Sequence, residues 1–252
     1  MGKHNLMSDR SGIGEQALNK AAEIGLSSQL DEVENLEVDI ETDPLKLVQG
    51  QVDSVTIAGV GLVMQKDLRV EELEMQMTSV AINPLSAAFG KIELTRPTDA
   101  TVHVVLTEAD INRAFNSNYV RSKLQNLQVK VNGQPKTIDA QQVYFHLPGK
   151  GEVALDAKVV VDGSSETRQV VFTAVPRVTA NGQTVTLENV HYGEGDELSP
   201  ELTEALVSQT SDIINLSNFD LAGMSLRIKS LNAEAGKLTF EAEAHVEQIP
   251  SG

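Results

Sequence analysis

Hydrophobic positions first recur at helical spacing and then drop to a period of two. Ile13, Ala17, Ala21 and Ile24 stand opposite Glu15, Gln16, Asn19, Lys20 and Glu23, which predicts a helix over 12–29 with the first set facing inward. Val33, Leu36, Val38 and Ile40 then alternate among acids, predicting a strand of about ten residues with one irregularity. Asp43-Pro44 offers a cap and a first-turn proline for a short helix, which Gly50 ends. Two strands follow, one on Val52, Val55 and Ile57 and one at Val63-Met64, separated by a Gly59-Val60-Gly61 break that reads as a bulge or sharp bend. Leu73, Met75 and Met77 alternate strictly against Glu72, Glu74, Gln76 and Thr78, giving a strand with one dry and one wet face. Asn83-Pro84 opens a second short helix, Leu85 to Phe89, stopped by Gly90. Asp43-Pro44-Leu45 and Asn83-Pro84-Leu85 thus head the same unit twice: strand, Asx-Pro-Leu, a turn of helix, glycine, strand.

The second half is richer in strands. Thr101 to Leu106 reads as a strand, and Thr107-Glu108-Ala109-Asp110 as a capping-box start for a helix carrying Ile111, Ala114 and Phe115. A further helical turn or two runs from Tyr119 to about Gln125. Asn132-Gly133, Asp162-Gly163 and Asn181-Gly182 are tight-turn signals in a meander with strands near 128–131, 137–147, 151–161, 167–179 and 183–192. Ser199-Pro200-Glu201 opens a last long helix with Leu202, Ala205, Leu206, Gln209, Ile213 and Ile214 on its inner stripe. Strands at about 220–231 and 237–247, turned at Ala235-Gly236, close the chain. Strands and helices do not alternate regularly, so the pattern predicts an α+β fold and not a doubly wound parallel sheet. The expected organisation is a flexible N-terminus over 1–11, one domain over 12–248 and a flexible tail over 249–252.

Composition narrows the function. With 252 residues, 40% of them hydrophobic, the chain can bury a core without staples, and nine aromatics with no Trp make that core aliphatic. The lack of Cys removes disulfides and thiolate chemistry. A net charge of −16 argues against a nucleic-acid partner and against adhesion of the whole surface to anionic lipid. The first ten residues hold no apolar run of the kind a secretory signal needs, and Leu6 stands where a myristoylation motif requires Ser or Thr. No stretch approaches 18 apolar residues, so the expectation is a soluble, cytoplasmic protein, peripheral where it meets a membrane. One segment departs from the acidic background. From Ile111 to Ile138 there is no Asp or Glu, while Arg113, Arg121, Lys123, Lys130 and Lys136 are present with Phe115 and Tyr119. Arg113, Tyr119, Arg121 and Lys123 are therefore candidates for docking on anionic headgroups; a solvated helix face fits the pattern equally.

Catalytic constellations are missing. None of His4, His103, His146, His191 and His245 stands at metal-ligand spacing from another, and each reads as a partnered or solvent-facing residue. No nucleophile elbow, P-loop or HExxH occurs, and Gly59-Val60-Gly61 lacks the third glycine of a dinucleotide fingerprint. The run Glu194-Gly195-Asp196-Glu197 lacks calcium-loop spacing and serves as an acidic approach to a helix. The reading is no enzyme, no metal and no cofactor. What remains is apolar: Ile13, Ala17, Ala21, Ile24, Val63, Met64, Leu73, Met75, Met77, Leu85, Phe89, Ile111 and Phe115 are the candidates for lining a lipid-binding groove. An ordinary packed core fits the same residues.

Two stretches add a resemblance. Ile92-Glu-Leu-Thr-Arg-Pro-Thr-Asp-Ala100 continuing through Val105-Leu-Thr-Glu-Ala-Asp-Ile-Asn-Arg-Ala-Phe115 resembles the cyanobacterial branch of the LmeA-like phospholipid-binding family. The closing Asn218-Phe-Asp-Leu-Ala-Gly223, with Leu226, Leu231 and Lys237-Leu-Thr-Phe-Glu-Ala242, resembles that family's C-terminal hairpin, and Leu45 to Gly61 also fits. The resemblance implies a fold similar to the tubular lipid-binding (bactericidal/permeability-increasing-like) superfamily. There a strongly curved antiparallel sheet is wrapped around long helices and leaves an apolar groove for acyl chains. It also implies binding or transfer of phospholipid without catalysis; another hydrophobic ligand fits the same groove, and transient contact with an anionic membrane surface is the expectation from the basic segment, not from the resemblance. The family supplies no motif-level binding residues, so the groove candidates rest on periodicity. Many relatives outside this branch carry an N-terminal signal or anchor, and this chain shows neither. The rival expectation is a protein-interaction scaffold of the same fold with a packed interior; neither reading sets an oligomeric state.

Overall fold

Alternation is realised as two antiparallel sheets. The structure, a computed structural model, describes residues 13–64, 67–88, 93–131, 133–163, 165, 167–193, 200–204, 207 and 223–248. In chain order its elements are α1 (Ile13–Ser27), β1 (Asn35–Glu41), α2 (Pro44–Val48), β2 (Gln51–Met64), β3 (Leu68–Ala81), α3 (Pro84–Ala88), β4 (Thr98–Thr107), α4 (Glu108–Asn116), α5 (Asn118–Lys123), β5 (Leu127–Val131), β6 (Gln134–Gly149), β7 (Glu152–Val161), β8 (Thr167–Val178), β9 (Val185–Tyr192), β10 (Met224–Glu234) and β11 (Lys237–Val246). One sheet has the order β1-β2-β3-β4-β11-β10 and the other β5-β6-β7-β8-β9.

The six-stranded sheet is curled into a half-barrel. The bends are visible in β2 and β3, whose inward-facing partners are Val52/Val80, Val55/Met77, Ile57/Met75, Gly59/Leu73 and Leu62/Val70. Both strands step by three residues, not two, between the first and second pairs and between the last two. Left-handed residues sit at these steps, Ser79 (φ 55°) at one and Gly61 (φ 62°) at the other. Such irregularities bend a strand without ending it. The Gly59–Gly61 segment is accordingly a bend inside one continuous strand, not the gap between two.

The five-stranded sheet is the predicted meander, covered by α4, α5 and a helical stretch at 200–204 whose Leu202 is buried. Ile111 on α4, Leu147 and Val153 on the meander, and Ala233 and Leu238 on the β10–β11 hairpin form a core seam between the sheets. Backbone bonds tie the seam: Gly236 N–H donates to Leu147 O at 2.9 Å and Gly151 N–H to Ala233 O at 3.1 Å.

The expectation of long helices needs correction. The longest helix among the described residues, α1, has 15 residues, and α2 to α5 have five to nine. Curvature comes from strand bends, with no long helix at the centre among the described residues. The predicted helix from Ser199 is represented by 200–204; most of its length lies outside the described residues.

Candidate functional site

The helix α1 lies along the free edge of β1, and its polar residues fix its rotation. Thr42, Ile40 and Val38 point their N–H groups away from β2. They donate to Glu15 Oε1 (3.2 Å), Asn19 Oδ1 (2.9 Å) and Glu23 Oε1 (3.5 Å). Four residues of helix rise about 6 Å and two residues of strand about 6.8 Å, so acceptors four apart match donors two apart. An edge strand is thereby satisfied by side chains. Docking this face on the edge turns Leu18, Ala21, Ala22 and Leu26 toward the concave face of the sheet.

Between α1 and the half-barrel lies a cavity of about 540 Å³. All six strands contribute: Leu36, Val38 and Ile40 from β1; Val55, Ile57, Leu62 and Met64 from β2; Leu73, Met75 and Met77 from β3; Val102 and Val104 from β4; Val246 from β11; and Met224 and Leu226 from β10. Both edge strands therefore bound the same space, which only a curled sheet allows. Along β2 the lining runs from Val52 to Met64, a contour of about 40 Å at about 3.3 Å per residue. Among the described lining residues only Gln29 is polar. Water held in a cavity needs two to four polar partners, so this lining suits an apolar occupant.

One end of the half-barrel is braced by charge. Arg69 on β3 donates to Glu71 Oε2 (2.7 Å), Asp110 Oδ1 (2.7 Å) and Glu34 Oε1 (2.8 Å). Asp110 also closes the predicted capping box: its Oδ2 accepts from Thr107 N–H (2.9 Å) while Thr107 Oγ1 accepts from Asp110 N–H (3.1 Å). Burial opposes ionisation of Asp110, but hydrogen bonds from Thr107 and Arg69 outweigh it and hold the carboxyl below its ordinary value. The same carboxylates push the Arg69 guanidinium further up.

The structure distributes the sequence candidates unequally. Ala21, Met64, Leu73, Met75 and Met77 line the cavity. Val63 is buried, 2% exposed, but faces away from it, bridged to Glu32. Ala17 is exposed and Ile24 is 63% exposed, because the edge-strand bonds rotate α1 by about one residue from its predicted orientation. Leu85 is 75% exposed on α3. Ile111 and Phe115 belong to the seam, where Phe115 stacks on Phe145 at 6.0 Å between ring centroids. Ile13 opens α1, and its side chain, like Phe89, lies outside the described features. Of the basic candidates, Arg113 pairs with Asp67 (3.6 Å) and Arg121 is exposed on α5; the side chains of Tyr119 and Lys123 lie outside the description. Leu18, Ala22 and Leu26 were not among the candidates. Their own i, i+4 spacing was the available signal, hidden by a second apolar stripe beside it.

A family model described as LmeA-like phospholipid-binding matches residues 9–243. The chain belongs to the LmeA-like phospholipid-binding family. No curated protein and no solved structure matches it. For a member of a phospholipid-binding family, the feature that stands out is the hollow between α1 and the half-barrel. Among the described residues no three or more His, Asp or Glu side chains converge to hold a metal. Nor is any described helix long and apolar enough to cross a membrane.

Proposed function

We propose that this protein binds a phospholipid by its acyl chains in the cavity between α1 and the half-barrel, as a non-catalytic carrier. The observation that supports the reading is the apolar hollow of about 540 Å³, within the roughly 300–1,000 Å³ typical of ligand sites. Native interiors contain few voids larger than a water molecule, so a packed scaffold is not the better fit. Each methylene moved from water into such a lining contributes about 0.8 kcal/mol, which makes long acyl chains the natural occupant. Soft Met64, Met75, Met77 and Met224 on the wall accommodate chains of differing shape.

Lipid extraction and native mass spectrometry of the purified protein test this reading. Phospholipid bound in stoichiometric amount, or acquired on incubation, is the expected result. Met75→Trp places a large ring in the cavity of a chain that has no Trp, and loading should fall about tenfold or more with the melting temperature of the lipid-free protein held. Undiminished loading in this variant would put the ligand elsewhere.

A further inference from the structure

A cavity for acyl chains needs a route from the bilayer, and the two ends of the half-barrel differ. At one end the β2–β3 hairpin is braced by Arg69 and Asp110 against α4, which packs on β3 and β6. The other end carries α2 and α3, since β1–β2 and β3–β4 are both connected there. These are the two Asx-Pro-Leu units. Asp43 Oδ1 accepts from Leu45 N–H (2.8 Å) and Asn83 Oδ1 from Leu85 N–H (3.1 Å). The helices are neighbours: Ile82 N–H donates to Gly50 O at 2.8 Å, and a Cβ on Gly50 would lie 3.2 Å from Pro84 Cδ.

Within α2, Leu47 turns inward onto the core cluster around the cavity, while its neighbours point out. Leu45, Val48 and Leu85 are 75%, 77% and 75% exposed, the three most exposed large hydrophobic side chains among the described residues. They stand where the cavity wall ends in Ile40, Val52, Val80 and Ile82. Among the described residues the charge around them is not cationic. Lys46 is paired with Asp53 at 2.6 Å, Arg96 donates to Ser79 O, and Asp43 and Glu93 add acid. Anionic headgroups would be repelled by this rim, whereas a zwitterionic leaflet would admit its apolar side chains.

We propose that α2 and α3 form a bilayer-entering rim: Leu45, Val48 and Leu85 insert into a zwitterionic phospholipid leaflet and bring this end of the cavity, closed by the buried Ile40, Val52, Val80 and Ile82, against the acyl layer. The proposal rests on the cavity being the phospholipid site. Only apolar side chains then separate leaflet from cavity, so a chain that parts Ile40, Val52, Val80 and Ile82 enters without crossing water. The basic segment over 111–138, whose Arg113, Tyr119, Arg121 and Lys123 are the sequence's candidates for docking on anionic headgroups, is not part of this rim.

The test compares the full chain, the triple variant L45S/V48S/L85S and Met75→Trp in two assays. One is flotation with phosphatidylcholine vesicles; the other is uptake of a dispersed short-chain phosphatidylcholine by native mass spectrometry, which needs no bilayer. The triple variant should lose vesicle binding about tenfold or more and keep uptake of dispersed lipid. Met75→Trp should do the reverse. Unchanged flotation of the triple variant overturns the rim and leaves the cavity reading standing. Failure of the unmodified chain to take up dispersed lipid overturns the cavity reading, and with it the rim's task. Flotation that appears only with phosphatidylglycerol and vanishes with salt overturns the rim in favour of a basic face. If the triple substitution turns a dimer into a monomer and vesicle binding holds, the patch joins two copies of the chain and the proposal is overturned.

Discussion

Asn19 commits both ends of its amide to β1: Nδ2 donates to Asp39 Oδ1 at 3.2 Å and Oδ1 accepts from Ile40 N–H at 2.9 Å. In sequence the residue reads as the wet side of an amphipathic helix, because nothing local shows that a strand edge will lie beside it. Asn19→Leu leaves a partly buried N–H without an acceptor and should cost about 1–2 kcal/mol, seen as a lower urea midpoint at unchanged slope. Asp110 is legible to a greater degree, since Thr107 and Asp110 announce a capping box, while its partner Arg69 is 41 residues away. The folded carboxyl titrates below its ordinary value of 3.8, so its stabilising contribution is complete above that value. It is lost as pH falls through the lowered folded value. The unmodified chain should therefore lose stability more steeply below pH ~4 than Asp110→Asn, which lacks the titrating group; parallel urea midpoints for the two would refute this.

Among the elements, β2 and β3 carry the curvature, and two glycines have separate tasks in it. Gly61 has φ +62°, and a Cβ there would overlap Glu34 Cδ. Gly61→Ala should destabilise by about 1–3 kcal/mol through backbone strain and displacement of Glu34 from Arg69, read as a drop in melting temperature. Gly59 needs no left-handed backbone, and its Cβ would meet only the Leu62 side chain, at 2.7 Å. Gly59→Ala should therefore melt close to the unmodified protein while Leu62 is pushed toward the cavity. The glycine pair was visible as a local break; whether a strand ends or bends there depends on β3 bending in register with it.

At the scale of the molecule, hollowness couples ligand to stability. The cavity is walled by every strand of one sheet and by α1, so on the proposed reading a bound lipid completes this core. Phospholipid that binds only the folded chain should stabilise it by about 2.7 kcal/mol at a hundredfold excess over its Kd. Delipidated protein should consequently melt lower than loaded protein, and Met75→Trp should show a smaller gap between the two forms. Equal melting temperatures with and without bound lipid would contradict the cavity as the binding site.

The chain's own pattern determined the elements and their punctuation: the meander with its Asn-Gly and Asp-Gly turns, the capping box at Thr107, and the paired Asx-Pro-Leu units. These are local, set by periodicity and turn chemistry within a few residues. It also carried the family, through residues around Thr107 and in the closing hairpin. The tertiary structure decided what each face meets. Pairing of β4 with β11 joins Thr107 to Lys237 and closes the half-barrel across most of the chain. The unpaired edge of β1 selects which side of α1 is polar contact and which is cavity wall. Only the assembled sheet shows that its concave face lines a cavity, and that Leu45, Val48 and Leu85 remain outside. Alternation specifies that a strand has two faces. Packing between distant segments specifies what covers them.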